Sequence, residues 1–356
     1  MNQSSQRIVL QAIDEALATG ASFFAYRLPG EADIHFGCQV AGKEADAAEQ
    51  FVVHPFVDDD SSPEVCIDAH LNAEDFLASK LSEHHSLLPI TQTGTSLEQY
   101  LDTAHRCIDA LQSAEVSKVV LSRVIVQTAT NAVWGNRFMQ LAQSMPHAFA
   151  FVFNTPITGA WMGASPELLL SAHGEMLNTM ALAGTKAADD SRPWTAKEIA
   201  EQRYVATYIE QAFARLGIDY SKHSTTAMQA GNVQHISTPF SALCSKHMQQ
   251  QLLRTLHPTP ALAGVPKQKA IEKILELEQH QRRYYGGFVG PKKANGDFRY
   301  YVNLRCMQFT QTQCCIYAGG GLTAQSIAID EWHETQLKAQ PLLALLYEPC
   351  FRAATP

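Results

Sequence analysis

The sequence has no apolar run approaching the roughly 18 to 20 residues that a membrane span requires. Residues Met1 to Arg7 lead into an amphipathic pattern and not into the apolar core of a signal peptide. These absences lead us to expect a cytoplasmic protein. Basic charge is also scarce, with 27 Lys and Arg against 35 Asp and Glu and a net charge of -8. Nucleic acids and anionic membranes select basic surfaces, so neither is expected as a main partner. A small anionic substrate is not excluded, because it needs only a few aimed cations. The 8 cysteines form no CxxC pair and no regular framework, and most sit in apolar surroundings, which points to buried reduced thiols. There is no GxGxxG, no P-loop and no HExxH, and His84, His85, His235 and His257 lack zinc-finger spacing. These histidines therefore read as structural and not as zinc ligands. No internal repeat or low-complexity tract occurs.

What is present suits a globular chain. Over 356 residues, 46% are hydrophobic and 17% charged, enough to bury a sizeable core. Periodicity predicts helices over 5–19, from Thr95 onward, and over 195–216, 267–283 and 330–347. Thr95 with Glu98, and Thr195 with Glu198, have capping-box spacing. Strands are expected at 21–27, 33–40, 50–56, 116–126, 149–154, 159–163, 167–172, 298–307 and 313–319. The segment 57–95 is polar, with few strong signals. Strands in runs, separated by a few long helices and without regular βαβ alternation, predict an α+β fold with large sheets.

Several residues are out of place for a purely structural chain. Lys118 lies in the apolar strand Val116–Val126, on the face shared by Val116, Val120, Val124 and Val126. A buried ammonium is costly, and desolvation lowers its pKa from about 10.4 toward neutrality, as a general base requires. From position alone, a lysine with its head in solvent is the commoner outcome. In Gly163-Ala-Ser-Pro-Glu167, Pro166 fixes a turn and Glu167 opens an apolar strand, where burial would raise its pKa toward that of a general acid. A solvated strand-end glutamate is the plain alternative. Gly184 and Thr185, in Ala181-Leu-Ala-Gly-Thr185, permit close backbone approach and offer a hydroxyl. Glu198 and Glu201 stand three apart near a helix start, and Glu331, Glu334 and Lys338 share one helical face. Paired carboxylates suit a hard cation, although Glu334 and Lys338 also have the spacing of an ordinary surface pair worth about 0.2–0.5 kcal/mol. Arg305, inside an apolar strand, needs an anionic partner.

The order of these segments is more specific than any one of them. Lys118-Val-Val-Leu-Ser-Arg123, Gly163-Ala-Ser-Pro-Glu167, Leu182-Ala-Gly-Thr185, Lys197-Glu-x-x-Glu201, Leu256-His-Pro-Thr-Pro260, Tyr285-Gly-Gly-Phe-Val-Gly290, Ala318-Gly-x-Gly321 and Glu331-Trp-x-Glu334-Thr-x-x-Lys338 strongly resemble the chorismate-utilising enzymes. The match covers roughly residues 96–345, and the first 95 residues look like a weaker N-terminal part of the same single domain. The resemblance implies two sheets packed as a sandwich, helices outside and the active site between the sheets. Lys118 then resembles the base that activates water, and Glu167 the acid that protonates the leaving hydroxyl. Glu201 and Glu334 resemble Mg²⁺ ligands, with Glu198 and Glu331 as supporting carboxylates. Leu182, Ala183, Gly184 and Thr185 resemble the loop lining the ring. His235, Tyr285, Arg305, Gly319 and Lys338 resemble its substrate contacts.

Three positions choose among the family's activities. Ammonia-using relatives have glutamine where this chain has Lys118, and aminodeoxychorismate synthases typically have a lysine nucleophile at Ala183. Salicylate and anthranilate synthases tend to have threonine where Ala261 aligns. Together these imply the isochorismate synthase activity, with Mg²⁺ as cofactor and chorismate as substrate. Salicylate synthesis is the nearest rival and chorismate binding without catalysis the more distant one. Gln202, where many relatives have histidine, and Gly320, where alanine is usual, depart from the pattern without removing a catalytic group. A monomer without an amidotransferase subunit is expected, feeding menaquinone synthesis or, alternatively, siderophore synthesis.

Overall fold

A computed structural model describes residues 3–43, 47–79, 85–113, 115–129, 132–230 and 233–347. Its helices are α1 (Gln3–Thr19), α2 (Ala73–Ser79), α3 (Leu97–Gln112), α4 (Trp134–Ser144), α5 (Ala196–Leu216), α6 (Lys246–Leu256), α7 (Lys267–Leu277) and α8 (Ala328–Tyr347). Its strands are β1 (Phe23–Arg27), β2 (His35–Cys38), β3 (Glu49–His54), β4 (Val65–Asp68), β5 (Lys118–Thr128), β6 (Phe149–Asn154), β7 (Ala160–Ser165), β8 (Leu168–His173) and β9 (Met176–Ala187). They continue as β10 (Tyr220–Lys222), β11 (Thr226–Ala230), β12 (Val233–Leu243), β13 (Gly264–Val265), β14 (Phe288–Lys293), β15 (Phe298–Val302), β16 (Cys306–Phe309) and β17 (Gln313–Leu322).

Among the described residues the strands form two sheets, ordered β13-β5-β17-β16-β7-β6-β1-β2 and β10-β12-β9-β8-β15-β14-β3-β4, with β11 on β12. Alternation of side chains explains why the sheets stack. Along β1, Phe24 and Tyr26 turn toward the second sheet, and the Phe24 ring lies 5.1 Å from Phe51 of β3. Phe149 of β6 stacks on Tyr301 of β15 at 4.2 Å, again across the two sheets. The intervening Phe23, Ala25, Ala150 and Val152 point the other way and pack beneath α1, α4 and α8. Covered on both faces, β6 is buried at every position, hence the apolar run Phe149–Phe153. A third cluster seats α3 and α7 on Val119 and Leu121 of β5. Helices α5 and α6 cover the second sheet.

The α+β reading and the two-sheet sandwich agree with this architecture; four details of the sequence reading change. The capping box of α3 is formed by Ser96 and Gln99, each side chain bonded to the other's backbone N–H, at 3.1 and 2.9 Å. Thr95 instead accepts from the Val124 N–H at 3.2 Å, tying the helix entry to β5. The helix expected to 283 ends at Leu277, because Glu278 turns its carboxylate inward to Arg282, at 2.6 Å. The strand expected over 298–307 is interrupted at Asn303–Arg305, with Arg305 at φ +48°. The quiet segment 57–95 contains β4 and α2, both too short for a periodic signal. Of the described cysteines, 38, 107, 306, 314 and 315 are buried and free, 244 is partly buried and 66 exposed; Cys350 and His84 lie outside the described residues. No helix among the described residues is long and apolar enough to cross a membrane.

Candidate active site

Two of the places where the chain changes sheets each deliver a functional side chain. From β7 in the first sheet to β8 in the second it passes through Pro166 and Glu167. From β15 back to β16 it passes through Asn303, Leu304 and Arg305. A residue at a crossing lies between layers, where it is walled by both. Glu167 and Arg305 are accordingly 3% and 7% exposed and line a common cavity with Lys118, Leu182–Thr185, Glu201, His235, Ala261, Tyr285, Gly319 and Lys338.

Lys118 opens β5 and is 3% exposed. Its amine makes no hydrogen bond within the described residues. Burial lowers its pKa, and Lys338 adds to that, while the carboxylates of Glu201, Glu334 and Glu167 act against it. The side chain lies across Gly321 of β17, where an added Cβ would stand 2.6 Å from Cε. Gly321→Ala is therefore expected to displace the lysine, whose flexible end yields before the backbone does. We expect kcat to fall by about tenfold or more, as misplacement by an ångström does, with little change in melting temperature. Unchanged turnover in that variant would show that the position of the amine does not matter.

Glu167 is the complement. Burial pushes its carboxyl up to about 8, against the opposing influence of the Thr259 hydroxyl, Lys118 and Lys338. Thr259 Oγ1 donates to Oε1 at 3.4 Å. Thr259 is a site residue that the sequence reading passed over, although the motif Leu256–Pro260 contains it.

The loop at the end of β9 is a β-bulge. His235 pairs with Thr185 and Ile236 with Ala183, so Gly184 is the unpaired residue. Its φ of +72° suits glycine, and an added Cβ would lie 2.9 Å from the Glu198 carbonyl oxygen. The bulge re-aims Leu182 and Ala183 toward the cavity. His235 Nδ1 lies 3.2 Å from both the Gly184 carbonyl and the Thr185 hydroxyl, and its Nε2 lies 2.6 Å from Arg305 Nη2. Burial holds the ring well below its ordinary pKa, and the Arg305 charge reinforces this. The neutral ring can then donate from Nδ1 and accept from the guanidinium. His235 thereby orients a buried cation toward the cavity.

Opposite, Tyr285 stacks on Tyr317 at 5.5 Å, and glycine at 319 leaves room for its hydroxyl, which an added Cβ would meet at 2.7 Å. Lys338 bonds Glu334 Oε1 at 2.7 Å and the Gly319 carbonyl at 2.9 Å. With side chains only 24% and 29% exposed, this is no ordinary surface pair. Behind the cavity, Arg282 donates to the carbonyls of Val120 and Leu262 and to Glu278, linking β5 with the Leu262 loop. Arg123 stacks on Trp332 at 3.7 Å and donates to Thr335 at 2.7 Å, seating α8 on the same strand.

The carboxylates sort into two groups. Glu201 lines the cavity, and burial raises its pKa with a further push from Glu334. Glu334 is lowered overall: burial would raise it, but Lys338 outweighs that. Glu331 is 1% exposed; its Oε1 takes Lys197 at 2.9 Å and Ser326 at 2.8 Å, and its Oε2 has no hydrogen-bond partner. Gly320 leaves that oxygen open, since an added Cβ would lie 3.1 Å from it and 4.0 Å from Glu334 Oε1. Glu198 is spent elsewhere: it closes the capping box of α5 by accepting from the Thr195 N–H at 2.6 Å. Among the described residues no three His, Cys, Asp or Glu side chains already converge as a metal cage. A buried orphan carboxylate oxygen and hard oxygen donors nevertheless fit Mg²⁺, which keeps several waters and needs few protein ligands.

Residues 39–347 match the family described as chorismate binding enzyme. Isochorismate synthase EntC of Escherichia coli K12 is 30% identical over 245 residues, covering 64% of this chain and 62% of that relative, so the chain spans less than two thirds of its length. The Bacillus anthracis structure named for a 2,3-dihydroxybenzoate-specific isochorismate synthase, DhbC, superposes with a TM-score of 0.77 at 24% identity, covering 95% of this chain and 99% of that one. MenF of E. coli, titled a menaquinone-specific isochorismate synthase, superposes with a TM-score of 0.76 at 19% identity, covering 94% and 91%.

Proposed function

Because the chain belongs to the chorismate binding enzyme family, we propose that it is an isochorismate synthase, converting chorismate to isochorismate by adding water at C2 and expelling the C4 hydroxyl. One observation carries the reading. Lys118 and Glu167 share a cavity in which burial drives the amine toward its neutral form and the carboxyl toward its protonated form. That is the pairing that a base and an acid need to act side by side in one site. Lys118 takes a proton from water as the oxygen attacks, and Glu167 gives one to the departing hydroxyl, so one water enters and one leaves.

Chorismate is a dianion, and Arg305, Lys338 and the Tyr285 hydroxyl are the groups to hold its carboxylates. Leu182, Ala183, Gly184 and Thr185 line the ring, and the Ala261 methyl leaves no hydroxyl to assist loss of pyruvate. Glu201 and Glu334, with Glu331, are the residues to hold Mg²⁺. When bound, the ion neutralises and polarises a substrate carboxylate. Glu334→Gln is expected to weaken Mg²⁺ binding by about 10- to 100-fold, measured by titration calorimetry. Unaltered affinity would remove Glu334 from the metal site.

Chromatography of the products from chorismate and Mg²⁺ tests the whole reading. Isochorismate without pyruvate is expected. Salicylate and pyruvate would make the chain a salicylate synthase, and binding without any product would make it a binding protein. We place the reaction in the cytoplasm, with its product entering menaquinone or catecholate siderophore synthesis.

A further inference from the structure

A second cavity, of about 310 Å³, lies on the far side of the second sheet, between α6 and the strands β3, β4, β14 and β15. Its floor is aromatic. His54 stacks on Phe288 at 4.5 Å, His257 meets Phe288 edge-on at 5.1 Å, and Phe298 stacks on Tyr300 at 4.6 Å. Both histidines reach the same acceptor: His54 Nδ1 and His257 Nε2 each lie 2.9 Å from the Pro55 carbonyl. Burial, with His54 alongside, lowers His257 to about 3, so that wall is neutral at working pH.

The rim is cationic in a chain whose net charge is -8. Lys246 is occupied by the Asn295 carbonyl at 2.5 Å. The side chains of Lys292 and Arg254 make no hydrogen bond or ion pair within the described residues. Lys246, Lys292 and Arg254 face Glu64 and Asp58, each 3.6 Å from His54. Three cations against two carboxylates leave about one positive charge, which suits a monocarboxylate better than a phosphate. The cavity volume falls within the range of small-ligand sites, and an aromatic floor favours a flat ring.

The cavity is also placed to be felt in the active site. His257 is one of its walls, and two residues later Thr259 donates to Glu167. We propose that this groove is a second ligand site, for a planar aromatic monocarboxylate, whose occupancy is read at Glu167 through the His257–Thr259 turn. The link to turnover rests on the proposed reaction; the binding does not.

The test uses 2-naphthoate as probe on the full chain. Calorimetry should show one binding event that weakens by about tenfold or more in the double variant Lys292→Ala/Arg254→Ala, because it loses charge-assisted contacts. Lys338→Met, in the catalytic cavity, should leave that event unchanged. Loss of binding in Lys338→Met, indifference to the double variant, or no binding at millimolar probe would each overturn the site. Saturating probe should change kcat of the unaltered enzyme by about fivefold or more, the lower end of a typical coupling, and leave the double variant unaffected. A kcat indifferent to a bound probe would overturn the link. If the chain made no isochorismate, the proposed function would fail while the calorimetry still decided the site.

Discussion

Glu167→Gln is expected to lower kcat by about 10²–10⁴, the usual worth of a positioned acid, while leaving the fold intact and more stable at neutral pH. The amide keeps the shape and loses the proton. In the unaltered enzyme the acid is competent only while protonated, so kcat should fall as pH rises through about 8, where burial has placed the carboxyl. The variant should lack that alkaline limb. Stability follows from the same shift. A carboxyl whose pKa is raised on folding holds its proton more tightly in the folded state, so its contribution is intact below 4.5 and is lost as pH climbs to about 8. Thermal melts across that window should slope downward for the unaltered chain and less so for the variant. Equal slopes, or retained turnover, would remove Glu167 from its role.

Lys118→Met should abolish turnover to a similar degree, by about 10²–10⁴, and again without unfolding. The sign of the stability change runs the other way along the pH axis. A lysine whose pKa is lowered on folding makes the folded state release a proton that the unfolded chain keeps. Its cost is fully felt below the folded pKa and fades as pH approaches 10.5. Methionine fills much the same volume without the charge, so the variant should be the more stable at neutral pH, with the gain shrinking in alkali. Denaturant melts at pH 7 and pH 10 check this. A variant destabilised at pH 7 would mean that the amine is a structural member. Together the two variants should share a signature, stability up and activity down, which is expected where a fold tolerates buried ionisable groups for the sake of chemistry.

In the sequence, Lys118 and Glu167 stood out because a charge in an apolar strand violates local pattern, and no packing partner nearby in sequence excuses it. The capping box of α5 was visible because it is a local device spanning four residues. The box of α3 was placed one residue early, since Thr95 and Ser96 are both good caps and only the bond from Val124 to Thr95 decides between them. Thr259 carried no signal of its own: a threonine between prolines reads as a turn until Glu167, 92 positions away, is set beside it. Glu198 shows the converse. It had the spacing of a metal residue and of a helix cap, and the structure uses it as the cap.

By itself, the sequence determined the class of fold, many but not all of its strands and helices, and which ionisable groups would be expensive if buried, because propensity, periodicity and desolvation act over a few residues. It did not place β9, β12, α4 or α6, and that Lys118 and Glu167 are buried came from the structure. Which of those groups share a cavity, how Arg305 turns between two strands, and that Arg282 ties β5 to the Leu262 loop were decided only by tertiary structure. Those outcomes depend on where two sheets cross, and a crossing brings together residues that local rules treat as independent.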